Sequence, residues 1–243
     1  MTRLFYTVFA LCALFSVSNP ANAQSSYLPA TIVPLGGEEQ TGFIKYQNWI
    51  ENPSRIAFKP AAEDEEAVYY TPAEAEYFEV AGERYYGAIV NKEVSSTRRD
   101  QPSLTAEPKL EQDTAFLLQL FAGEKNLYVY KDNFGKEHFY IGPPEDPELL
   151  VYKIYQEQGA SGPYIAERKA YLEQLSKYLA PCGSIFPTLT ETAYERDELK
   201  ALFAAYYDCR PVDPAYVKQK DKVAFEWGAV AGFAMTTFSY DGG

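Results

Sequence analysis

Between residues 114 and 155 the chain alternates four β-like runs with three turns too short for anything but a reversal. Residues 114–121 (Thr-Ala-Phe-Leu-Leu-Gln-Leu-Phe) are almost wholly apolar and predict a buried central strand. Gly123-Glu124-Lys125-Asn126, then Asp132-Asn133-Phe134-Gly135, then the Gly- and Pro-rich stretch 142–147 turn the chain into runs at 127–131, 136–141 and 148–155. Strands joined this tightly pair antiparallel, because a parallel crossover needs roughly a dozen residues or more. Upstream, residues 27–35, 41–47, 54–59, 67–70, 77–80 and 83–93 carry the same pattern. Residues 24–158 therefore predict about nine or ten strands, arranged as a sandwich or a strongly curled antiparallel sheet and not as a βαβ fold. The 21 Tyr suit such a surface. Pro29 and Pro34 cannot donate to a ladder, so the first strand is expected at an edge. Thr71-Pro72-Ala73-Glu74 has the residue order of a helix start and predicts barely two turns. Glu63-Asp64-Glu65-Glu66 lacks the alternating ligands and glycine turn of a Ca²⁺ loop and reads as a solvated hairpin tip.

From Pro163 the period becomes helical. Ile165, Leu172, Leu175 and Leu179 form one stripe; Leu199, Leu202, Phe203 and Tyr206 form another. Residues 163–209 thus predict a two-helix segment, and 210–222, with Pro211 and Pro214, a linker. The last stretch alternates. Phe225, Trp227, Ala229, Ala231, Phe233 and Met235 share one face; Glu226, Gly228, Val230, Gly232 and Ala234 share the other. One large apolar face and one small or polar face are what a strand between lipid and a lumen requires.

Residues 1–23 form a secretory signal peptide by pattern: Arg3, an apolar run over 4–17, and Ala21-Asn22-Ala23 for cleavage. Export implies an oxidising compartment, so the two cysteines beyond it, Cys182 and Cys209, are expected to form a disulfide. If it joins the ends of two antiparallel helices it must span their length, so the connector runs back along the pair or the helices lie closer to parallel. Without Arg3 the formal charge goes from −12 to −12 − 1 = −13. Such an acidic chain argues against nucleic acid as a partner.

Gly42-Phe43-Ile44-Lys45-Tyr46-Gln47-Asn48-Trp49 with Asn52-Pro53, Leu127-Tyr128-Val129-Tyr130-Lys131-Asp132 with Gly135-Lys136-Glu137-His138-Phe139, Tyr178-Leu179 with Cys182, Leu202-Phe203 with Tyr206 and Cys209, and Phe225-Glu226-Trp227-Gly228 succeed one another in an order that resembles a known family. Its members are exported bacterial proteins with a β-rich N-terminal region, a Cys-containing helical segment and an outer-membrane β-barrel. The resemblance implies an α+β chain on the periplasmic face of the outer membrane, attached in a full-length form through its C-terminal strand. Residues 223–243 would be the first strand of an incomplete barrel, with Phe225 and Trp227 in the inner aromatic girdle. A barrel needs several further strands, so the chain resembles a truncated member.

No catalytic constellation is legible. The single histidine, His138, lies on a strand, without a nucleophile motif near it. No glycine-rich phosphate loop and no zinc-ligand spacing occur, so neither a cofactor nor a metal is expected. Trp49 and the tyrosines read as core and cross-strand pairs in preference to a sugar-stacking platform. The expected function is a non-enzymatic cell-envelope protein that anchors, transports or binds, with its ligand or protein partner open. The alternatives are a soluble periplasmic or secreted binding module and a carboxylate-dependent hydrolase.

Overall fold

The structure, a computed structural model, describes residues 27–64, 66–96, 98, 100–180, 182–219 and 239. The leader 1–23 and the alternating strand with Phe225 and Trp227 lie outside the described residues. The strands are β1 (Tyr27–Pro34), β2 (Gln40–Lys45), β3 (Ile56–Lys59), β4 (Val68–Tyr70), β5 (Ala75–Val80), β6 (Glu83–Glu93), β7 (Leu110–Ala122), β8 (Leu127–Lys131), β9 (Glu137–Ile141), β10 (Glu148–Leu149), β11 (Lys153–Gly159), β12 (Gly162–Arg168) and, after the helices, β13 (Tyr216–Val217). Eleven of them form one sheet in the order β10-β9-β8-β7-β6-β5-β1-β2-β3-β4, with β13 added beside β7. Every pairing in it is antiparallel.

The meander centred on β7 obeys the turn chemistry read from the sequence. β7 pairs β6 from Leu110 to Leu118 and β8 from Leu118 to Phe121. Beyond the first residues of β6, Tyr216 and Val217 take its place opposite Ala122 and Phe121. The predicted linker therefore contributes a strand of its own.

Three local expectations are corrected. β1 is an interior strand, flanked by β2 and β5. Its prolines are tolerated because Pro29 lies just beyond the β5 ladder, whose last pair is Ala30 with Val80, and Pro34 sits at a register shift. The segment Thr71–Glu74 makes one turn and no helix. Glu74 accepts from the Thr71 N–H and hydroxyl as in a capping box, but Ala75 already begins β5. Gly87 explains the crowding, since a Cβ there would collide with the carbonyls of Pro72 and Ala75. The helical period begins at Ala170, because Gly162–Arg168 pairs with Lys153–Gly159 as a separate two-stranded hairpin.

The sheet is buried on both faces over its centre. One face carries Phe78, Tyr85, Phe116, Leu118, Leu127, Val129 and Phe139 against the helices α1 (Ala170–Tyr178), α2 (Phe186–Glu191) and α3 (Arg196–Cys209). The other gathers Ala88, Val90, Leu117, Tyr128, Tyr140 and Leu149, as the meander curls and brings β10 near β6. Tyrosine serves the helical face twice. Its ring fills core, and its hydroxyl reaches backbone at the sheet's turns and beside β9. Tyr178 accepts from the N–H groups of Asn126 and Gly142, Tyr207 donates to the Lys125 carbonyl, and Tyr194 bridges the Phe139 N–H to the Leu150 carbonyl.

Cys182 and Cys209 are joined, Cα to Cα 6.2 Å, across a separation of 27 residues. The ends of α1 and α3 meet because the connector, with a turn at Gly183–Ile185 and then α2, carries the chain back between them. Opening this loop by Cys182→Ser with Cys209→Ser should destabilise the domain by about 3–4 kcal/mol on the chain-entropy model. Urea unfolding of the double variant against the oxidised parent checks this.

Candidate functional site

Residues 46–53 leave β2 and cross to β8, and Asn52 pins the crossing. Its side-chain amide donates to the carbonyls of Phe116 (2.8 Å) and Val129 (2.9 Å), and its carbonyl accepts from the Lys131 N–H (3.0 Å). The loop so held forms one wall of a cleft of about 680 Å³, with Tyr46, Asn48, Trp49 and Ile50. The tip of the β5–β6 hairpin, Ala81-Gly82-Glu83, forms the opposite wall with Lys218; Lys131, Glu137 and Arg196 complete the lining. Asn48 (φ 49°) and Ala81 (φ 54°) are the two non-glycine residues with positive φ among those described, and both border this cleft. Each holds a backbone conformation costing on the order of 1–3 kcal/mol, which the surrounding packing sustains.

Trp49 belongs to both core and cleft. Its ring meets Tyr46, Tyr85 and Phe78 at centroid distances of 5.0, 5.6 and 6.0 Å, all edge-to-face. The expectation that Trp49 packs as core thus describes one side of the residue. The charges are ordered in pairs. Arg196, at the start of α3, reaches Glu137 at 2.6 Å. Lys218 reaches Glu83 at 2.9 Å, with both side chains at least nine-tenths buried. The Tyr85 hydroxyl donates to Glu83 at 2.8 Å. Burial, and after it the Glu83 charge, pushes that phenol far above its ordinary value, so it remains a donor. Among the described residues Lys131 makes no ion pair.

A polar band lies next to the cleft, around the β8–β9 turn. Asp132 accepts from the N–H groups of Phe134 and Lys136 with one carboxylate oxygen and meets His138 Nε2 at 3.1 Å with the other. Lys136 pairs with Glu93 at 2.6 Å, and Lys92 with Asp113 at 2.6 Å, where Tyr130 also donates. Burial opposes charge on Glu93 and Asp113. The bonds from Lys136 and Ser95 on one, and from Lys92 and Thr114 on the other, overcome it and hold both carboxyls below the ordinary range. His138 is fully buried. It has an orienting acid, but among the described residues no hydroxyl or thiol pairs with its ring. Glu83 and Glu137 both line the cleft, each already committed to a cation. No group of three or more His, Cys, Asp or Glu among the described residues is placed to hold a metal.

Burial outweighs the Asp132 hydrogen bond and lowers the His138 pKa from its ordinary 6.5. The unfolded chain therefore binds this proton more readily than the folded one. The contribution is fully present above pH 6.5 and is lost as pH falls through the folded value, at no more than about 1.4 kcal/mol per pH unit. His138→Asn should flatten that part of the melting temperature's decline between neutral and acid pH. A parallel decline in parent and variant would show that carboxylates alone set it.

Cys182 and Cys209 are brought together as expected. Phe225 and Trp227 lie outside the described residues. The cleft itself was not legible: Lys131, Glu137, Arg196, Lys218 and Glu83 come from separate elements, and the only local signal was the break at Asn48-Trp49. Comparison with protein-family models, with curated proteins and with solved structures found no match. No helix among the described residues is long and apolar enough to cross a membrane.

Proposed function

We propose that this chain is a non-enzymatic cell-envelope protein. Its β-rich domain faces the periplasm, binds there, and presents the alternating segment 223–235 to the outer membrane. The observation that carries this reading is the fastening of residues 216–218 just ahead of that segment. Tyr216 and Val217 pair with β7, the Tyr216 hydroxyl donates to the Gly82 carbonyl at 2.8 Å, and Arg84 lies 4.3 Å over the Tyr216 ring. The exit point of the chain is thereby fixed to the middle of the sheet. A tether that had only to be flexible would need none of these contacts. The leader pattern of residues 1–23 and the Cys182–Cys209 bond suit an exported chain.

The test compares a form in which residues 223–235 open a complete barrel with a chain ending at Gln219, both expressed with the leader. The shortened chain keeps β13 and should appear folded in the osmotic-shock fluid, while the barrel-bearing form stays with the envelope. Identical distribution of the two would remove the role given to residues 220–243.

A further inference from the structure

The charges that line the Trp49 cleft restrict what it can hold. An apolar ligand would strip water from Glu137, Arg196 and Lys131 without replacing its hydrogen bonds. A compact polyanion would meet Glu83 and Glu137 as well as the cations. Carboxylates and cations fixed side by side suit hydroxyl groups, which donate to one and accept from the other. The half-buried indole of Trp49 is a flat apolar surface in the same cleft, on which no described ring stacks face to face. A pyranose ring offers both features, an apolar C–H face and a rim of hydroxyls. The volume, about 680 Å³, lies in the usual range for small-ligand sites.

Lys131 refines the class. Arg196 and Lys218 are matched by Glu137 and Glu83; Lys131, opposite Glu137 in the β8–β9 register, makes no ion pair among the described residues, in a chain whose formal charge is −12. An ammonium so placed is suited to a carboxylate on the ligand. We propose that the Trp49 cleft binds a glycan carrying carboxylates, an oligosaccharide of hexuronate units. A pyranose lies on Trp49, its hydroxyls meet the Arg196–Glu137 pair, and its carboxylate meets Lys131. This rests on the binding role proposed above and is tested apart from the protein's location.

The experiment is calorimetric titration of the full chain with a galacturonate trisaccharide and, separately, a neutral glucose trisaccharide. The acidic sugar is expected to bind and the neutral one to bind at least about tenfold more weakly, the loss of one charge-assisted hydrogen bond. Lys131→Ala should remove that difference while leaving the melting temperature unchanged, and Trp49→Phe should weaken both sugars. Salt should weaken only the acidic one. Should Trp49→Phe fold poorly, Lys131→Ala still decides the matter. No binding of either sugar, equal binding of the two, or unchanged binding of the acidic sugar by Lys131→Ala would each overturn the proposal. None of these outcomes alters where the protein fractionates.

Discussion

Phe78→Ala should lower the unfolding free energy by about 3–5 kcal/mol, as expected for truncating a fully buried phenylalanine. Phe78 lies on β5, one strand from the meander, and its ring joins the two halves of the sheet. It stacks on Tyr85 at 4.7 Å and meets Phe116 edge-on at 4.9 Å, while Trp49 approaches at 6.0 Å. Alanine would leave a void lined by three aromatic rings, Tyr85 and Phe116 held on β6 and β7 and Trp49 by the loop that Asn52 pins, so the site has little means of collapse. The same change should loosen Trp49 and hence the wall of the cleft. Denaturant unfolding gives the stability, and the near-ultraviolet dichroism of the aromatic cluster should fall with it. A loss below about 1 kcal/mol would mean that the cluster repacks around the void.

Lys218→Ala should cost about 3–5 kcal/mol, because it leaves Glu83 buried without its cation. The Tyr85 hydroxyl still donates to Glu83 and supplies part of the lost stabilisation. Replacing both members, with Glu83→Gln and Lys218→Met, should recover much of the loss, since a buried pair contributes little beyond an apolar pair of similar size. The double-mutant cycle separates the two cases. It also probes the fastening of β13, because Lys218 donates its backbone N–H to the Leu120 carbonyl directly after the short strand. A loss confined to local fraying at residues 216–219, with global unfolding unchanged, would show that the sheet holds without that anchor.

Local chemistry made the fold legible where it acts alone. The turns at Asp132–Gly135 and Gly142–Pro147 and the apolar run 114–121 lead directly to the meander. Tertiary context decided the rest. Thr71–Glu74 has the residues of a helix start, yet β5 begins at once and Gly87 admits the turn against its backbone. Ile165 fits the helical stripe equally well, but Gly159–Gly162 makes a hairpin whose return strand includes it. The prolines of β1 fail to mark an edge, because one lies past the β5 ladder and the other sits at a register shift. The cleft is less visible still. Trp49 and Asn52 are close in sequence, and the β8–β9 hairpin sets Lys131 opposite Glu137, but these groups meet one another and Arg196 and Lys218 only through the sheet order and the return path of the helices. The alternation at 223–235 remains a feature of the sequence alone.

As proposed above, the domain works in the envelope and reaches the outer membrane through the alternating segment 223–235. Sedimentation on a sucrose gradient of envelopes from cells expressing a form in which that segment opens a complete barrel, followed by a high-salt wash, tests this most directly. The protein should band with the outer membrane and remain there after the wash. Full recovery in the soluble periplasmic fraction would overturn that proposal.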